Sequence, residues 1–223
     1  MERHFDKETT KINEKLIRMA TLAEEMIKIA IRALVDRNET IIAEAYRKEK
    51  EVNEFQIELD EEVVNLIARM QPVASDLRFL IAASKINGEL ERIADQAINI
   101  CENTSNLLKY PQLKPFVDTP IMADIVQQMV KESLNAFISR DAELAQKVLN
   151  SDDKVDAFKD QIFRELLTYM MSDPQTIPRA LAMILIARNL EKIGDHATNI
   201  AEEVIYIIQG RDVRHHHEKA QRK

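Results

Sequence analysis

Two tandem three-helix bundles, each a duplicate of the other in an all-α fold, are what this 223-residue chain predicts. Three observations lead there. Helix formers dominate while Gly is scarce (3) and Trp absent, a composition that favours helices over sheets. Apolar residues recur at helical spacing in long segments separated by turn and cap residues. The stretch Leu90-Glu91-Arg92-Ile93-Ala94-Asp95-Gln96-Ala97-Ile98-Asn99-Ile100 returns as Leu190-Glu191-Lys192-Ile193-Gly194-Asp195-His196-Ala197-Thr198-Asn199-Ile200.

The periodic segments run from about Lys7 to Asp36, Asn38 to Met70 and Pro72 to Leu108, then from about Pro120 to Ser139, Asp141 to Met171 and Thr176 to Gln209. Asn38 and Asp141 have the short polar side chains that cap helix N-termini, and Gly210 suits a left-handed C-terminal cap. Pro111, Pro115 and Pro120 interrupt any helix, so a linker is expected over 110–120, between a first bundle at 1–109 and a second at 121–210. A polar tail, 211–223, closes the chain. Its His215-His216-His217 is read as a frayed end rather than a metal tract.

The duplication extends beyond the motif. Ala33-Leu34-Val35-Asp36-Arg37-Asn38 matches Ala136-Phe137-Ile138-Ser139-Arg140-Asp141, and Val52-Asn53-Glu54-Phe55 matches Val155-Asp156-Ala157-Phe158. Both pairs are offset by 103 positions, against 100 for the longer motif, so residues are lost at the turn between them.

A formal charge of -7 and a pI near 5.4 argue against a nucleic-acid surface, which needs clustered Lys and Arg. One cysteine, Cys101, precludes an internal disulfide framework and suits a reducing cytoplasm. The first residues have no apolar signal-peptide core, and no apolar run nears the ~20 residues of a membrane span.

The repeated motif concentrates acids. At roughly 100° per residue, Glu91, Asp95 and Glu102 share a narrow stripe beside the core face, and Glu191, Asp195 and Glu202 repeat it. The preceding segment adds Asp152-x-x-x-Asp156 in the second copy and Glu49-x-x-x-Asn53 in the first. In an antiparallel hairpin, residues equidistant from the bend sit level. Asn53 then pairs with Glu91 and Glu49 with Asp95 about Pro72, while Asp156 pairs with Glu191 and Asp152 with Asp195 about Asp173 and Pro174. Such oxygen ligands suit iron, manganese, magnesium or calcium. A solvated acidic flank neutralised by Arg92, Lys192 and Arg188 is the alternative.

The second copy of the motif, from Leu190 through Glu202, resembles the signature of the PhoU family, accessory regulators of bacterial phosphate transport. The first copy and the turn Pro72-Val73-Ala74-Ser75-Asp76-Leu77-Arg78 resemble that family too, so the likeness spans essentially the whole chain. The resemblance implies a cytoplasmic, dimeric protein, peripheral to the inner membrane face, acting between the ATP-binding subunit of a phosphate ABC transporter and a sensor histidine kinase when phosphate is plentiful. Some members carry iron or zinc clusters on paired acidic motifs. By resemblance these map onto Glu91 and Asp95, Glu191 and Asp195, and Asp152 and Asp156 with Glu49 opposite. Asn53 stands where an acid is usual, and Ala94 and Gln96 replace the family's Gly and His, which makes the first site the poorer one.

Two other functions are compatible with an acidic helical bundle. A carboxylate-bridged metal oxidase needs inward-facing Glu-x-x-His pairs, and the chain has none. A metal-free docking module would use the acidic stripe to hold basic partner segments. No Gly-rich phosphate loop or nucleophile elbow is present, so no enzyme is expected.

Overall fold

The computed structural model describes residues 4–210. Seven α-helices form there: α1 (His4–Val35), α2 (Ile42–Met70), α3 (Ser75–Leu108), α4 (Asp118–Ser139), α5 (Ala142–Leu149), α6 (Asp152–Ser172) and α7 (Ile177–Gln209). No strand occurs among the described residues. The first bundle is α1 to α3; α4 to α7 form the second, with α5 and α6 together in the place of α2. The tail at 211–223, His215–His217 included, lies outside the described residues.

The caps form where the side-chain chemistry puts them. Asn38 Oδ1 accepts from the Thr40 amide at 3.0 Å, opening a 3-10 turn (Glu39–Ile41) that leads into α2. Asp141 Oδ1 accepts from the Glu143 and Leu144 amides at 2.9 and 3.0 Å, satisfying donors that the helix cannot. Just ahead of these caps, Arg37 (φ 51°) and Arg140 (φ 53°) adopt left-handed backbone. Amides one residue on return to Ala33 and Ala136 carbonyls at 3.0 and 2.9 Å. The same helix stop is thus built twice. Gly210 ends α7 with φ 65°, its amide donating to the Tyr206 carbonyl at 2.8 Å.

Two expectations need correction. The segment expected to run unbroken from Asp141 to Met171 divides at Asn150 and Ser151. There the Ser151 amide bonds to the Val148 carbonyl three residues back, and its hydroxyl to the Lys147 carbonyl at 3.0 Å. Asn and Ser compete for local backbone groups, whereas the matching positions in unbroken α2 are the helix formers Arg47 and Lys48. The expected linker is also shorter at its end: α4 begins at Asp118, with Pro120 in its first turn, where no intrahelical amide donor is needed.

The bundles pack side by side, α3 lying along α7 and α1 against α4. The core is continuous across the join, from Leu16, Met26 and Leu80 to Val130, Ile162 and Ile193. Phe79 of α3 stacks on Phe137 of α4 with centroids 5.3 Å apart, and Lys85 Nζ meets Glu203 Oε1 at 2.8 Å between α3 and α7. The connector is tied down as well: Arg37 donates to the Tyr110 carbonyl at 2.6 Å, Arg179 to the Pro111 carbonyl at 3.2 Å, and buried Lys114 bonds Glu165.

Candidate acidic sites on the two hairpins

Three of the level pairs inferred from hairpin geometry come near one another: Asp152 with Asp195, Asp156 with Glu191, and Glu49 with Asp95. In the second repeat, Asp152 of α6 is half-buried, and the strongest carboxylate influence on it is Asp195 of α7, followed by Asp156, Asp153 and Glu191. Burial first, then these neighbours, pushes its carboxyl up to about 6. Burial and the charges of Glu191 and Asp156 likewise raise Asp195. Asp156 and Glu191 share one cation: Lys159 Nζ donates to Asp156 Oδ1 at 2.7 Å and to Glu191 Oε1 at 3.1 Å. Those bonds hold the lysine above its ordinary range. Sequence reasoning missed Lys159, although it falls three residues after Asp156 and so on the same stripe.

The first repeat repeats the arrangement with fewer charges. Glu49 of α2 is raised by burial and then by Asp95 of α3; Glu91 is raised by burial and then by Asp95, with Glu49 contributing. Glu102 adds to the field at Glu49 and, with burial, raises the phenol of Tyr46. Asn53 takes the place of Asp156 and brings no charge. Cys101, behind this cluster, is fully buried, and its thiol is pushed up to about 12 by burial and by Glu102. It is a core side chain, not a reactive one.

A third acid joins the two copies. Glu89 of α3 accepts from Asn199 Nδ2 of α7 at 3.0 Å, and the same Oε2 lies 2.7 Å from His196 Nδ1. Burial alone would raise the Glu89 carboxyl, but these hydrogen bonds and the histidine hold it below its ordinary range. The field of His196 also reaches Glu91 and Asp195, lowering both. Beside Glu89 a groove of about 400 Å³ opens between α3 and α7, with Lys85 and Arg92 on its wall.

Clusters of partly buried carboxylates that raise one another's pKa are chemically suited to a hard divalent cation, which would supply the missing positive charge. As the side chains stand, no group of three or more His, Cys, Asp or Glu among the described residues converges to hold an ion. A cation in the second repeat would require Lys159 to release Asp156 and Glu191.

The model of the PhoU domain matches this sequence twice, over residues 16–104 and 119–204, one match per bundle. The chain belongs to the PhoU family. A phosphate-specific transport system accessory protein PhoU homolog from Pseudomonas aeruginosa is 39% identical over 216 residues, covering 96% of this chain and 89% of that one. A homolog of the same description from Aquifex aeolicus is 39% identical over 213 residues and covers 96% of both. The PhoU crystal structure from Pseudomonas aeruginosa superposes with a TM-score of 0.89 at 38% identity, covering 93% of this chain and all of that one (100%). The phosphate transport system regulatory protein PhoU from Streptococcus pneumoniae gives 0.87 at 25% identity, over 94% and 99% of the two chains. The PhoU resemblance read from the duplicated motif therefore holds across both repeats.

Proposed function

We propose that this chain is an accessory regulator of phosphate uptake. It works as an adaptor between the ATP-binding subunit of a phosphate ABC transporter and a sensor histidine kinase, and it keeps the phosphate-starvation response off while phosphate is plentiful. The observation that carries this reading is the PhoU match over both bundles, shared with relatives named as accessory proteins of phosphate-specific transport. An accessory role supports binding rather than catalysis as its task. No helix among the described residues is long and apolar enough to cross a membrane, which agrees with a cytoplasmic protein that reaches the inner membrane face through partners, as a homodimer.

Metal is the second part of this reading. An iron or zinc cluster, or a divalent cation such as magnesium, manganese or calcium, would be held by Asp152, Asp156, Glu191 and Asp195 in the second repeat and by Glu49, Glu91 and Asp95 in the first. Its contribution would be to neutralise the carboxylates and stiffen each hairpin. The raised carboxyls of Asp152 and Asp195 support this. An oxidase reading lacks the histidine ligands it requires.

Deleting the gene tests the regulatory role: phosphate-starvation reporters should stay on in phosphate-rich medium, and the wild-type gene on a plasmid should turn them off. Normal repression in the deletion strain would overturn the proposal.

A further inference from the structure

Beyond Lys159, toward the bend, the exposed side of the α6–α7 hairpin turns from acidic to apolar. Phe163 and Leu167 lie four and eight residues beyond Lys159, so they prolong its stripe along α6. Ile184 and Ile177 lie seven and fourteen residues before Glu191 and prolong its stripe along α7, with Leu181 beside them. Phe163, Leu167, Ile177 and Leu181 are 46%, 40%, 45% and 51% exposed. Ile184 is partly buried against the core beneath.

Comparison of the two repeats isolates what is special here. At the level where the second repeat has Phe163 and Ile184, the first has Asp60 and Ser84, whose hydroxyl donates to the Asp60 carboxylate at 2.9 Å. That polar pair interrupts the same side of the first hairpin, and its cluster has three acids where the second has four. In the second repeat the apolar side chains run on to the level of Ile184, and exposed Arg188 is the charged residue of the α7 stripe between them and Glu191; an apolar face leading to four acids belongs to the second repeat alone.

We propose that, with no cation bound to the acids, the α6–α7 face docks an amphipathic partner helix whose apolar side chains cover Phe163, Leu167, Ile177 and Leu181 and whose Lys- or Arg-bearing end lies against Asp152, Asp156 and Asp195. Charge favours this occupant: four carboxylates lie at the far end of the face against two cations, Lys159, which bonds Asp156 and Glu191, and exposed Arg188 on the α7 stripe. Size favours it too. The four half-exposed side chains present on the order of 300 Å² of apolar surface, well short of the ~800 Å² per partner of a stable dimer. From Asp152 to Leu167 the face runs about 22 Å at 1.5 Å per residue, the length of a helix of ~15 residues. Apolar anchors seated in a groove, with charges at one end, are how such helices are recognised. An anionic membrane is disfavoured because the acidic end repels its headgroups.

This inference deepens the adaptor reading by naming the chemistry of the partner segment, and its test is separate from the gene deletion. The probe is a fluorescein-labelled synthetic helix of about 18 residues, ~27 Å long, with leucines at three- and four-residue spacing and lysines in its last two turns. Binding is read by anisotropy with chelator present. Wild type should bind one peptide per chain with a Kd on the order of 10 μM, and Phe163→Asp and Leu181→Asp should each weaken binding roughly tenfold with unchanged circular dichroism. Asp156→Asn combined with Asp195→Asn should remove most of the salt dependence. Asp60→Phe with Ser84→Ile, which restores the apolar run in the first repeat, should add a second, weaker site.

Four results would overturn the proposal: no binding by wild type, equal affinity for the Phe163 and Leu181 variants, equal affinity for a peptide with Glu in place of Lys, or a Leu181→Asp variant that splits a dimer in sedimentation. Loss of peptide binding alongside intact derepression in the deletion strain would remove the docking face and leave the accessory role standing.

Discussion

Glu89 and His196, 107 residues apart in sequence, meet at 2.7 Å and clasp α3 of the first repeat to α7 of the second. The contact is well shielded, each side chain being 16% exposed, and Asn199 adds a second hydrogen bond to the same oxygen. Glu89→Gln should therefore cost about 1.5–3 kcal/mol at pH 7, the usual range for losing a hydrogen bond to a charged group. The folded Glu89 carboxyl titrates below its ordinary value. Its contribution is thus present above the unfolded carboxylate range and lost as pH falls through the folded value. Urea denaturation of wild type and variant should show a gap at pH 7 that closes in acid; a gap unchanged down to pH 3 would contradict the ionic nature of the clasp.

Asp152 shifts the other way. Burial and its acidic neighbours push its carboxyl from the ordinary aspartate value of 3.8 up to about 6 when folded, so the protonated form stabilises the protein fully below the unfolded value and that stability is lost as pH rises toward 6. Asp152→Asn should match wild type near pH 4 and exceed it at pH 7 by on the order of 1 kcal/mol, after allowing for solvent screening. Urea midpoints across this range check it, and a variant less stable than wild type at pH 7 would contradict the assigned repulsion.

A divalent cation would relieve the same repulsion. Manganese or ferrous ion added to chelator-treated protein should raise the melting temperature by mass action. Glu191→Gln combined with Asp195→Asn should lose more of that rise than Glu91→Gln combined with Asp95→Asn, because the first repeat has Asn53 in place of an acid. Equal losses from the two pairs of variants would contradict the ranking of the sites.

Gly194 has no conformational reason to be glycine. A Cβ there would meet Val155 Cγ1 at 3.5 Å, Asp152 Oδ1 at 3.6 Å and Met129 Cε at 3.8 Å, all ordinary contacts, and the first repeat buries Ala94 at this position. Gly194→Ala should stabilise the chain by roughly 0.5–1 kcal/mol through helix propensity. Thermal melts of the two proteins decide this, and a fall in melting temperature would mean that the close approach of α6 to α7 is tighter than these distances indicate.

What could be read from the chain follows from how local each feature is. Asn38, Asp141 and Gly210 act through their own side chain or backbone freedom, so their caps were legible residue by residue. The level pairing of Asp152 with Asp195 was legible because hairpin geometry depends only on rise per residue and the place of the bend. The break at Asn150 and Ser151 was not, since both residues are tolerated inside helices and only their competition for nearby carbonyls ends α5. Glu89, His196 and Asn199 were missed as a set for a different reason. Their contact depends on α3 lying along α7, and no pattern within either repeat encodes how the two copies pack.

The most direct test of the adaptor role is affinity capture with the tagged full-length protein from native membranes at high and low phosphate, with the bound proteins identified. Recovery of a phosphate transporter's ATP-binding subunit or a sensor histidine kinase, changing with phosphate supply, is the predicted result. Recovery of neither under either condition would contradict the role.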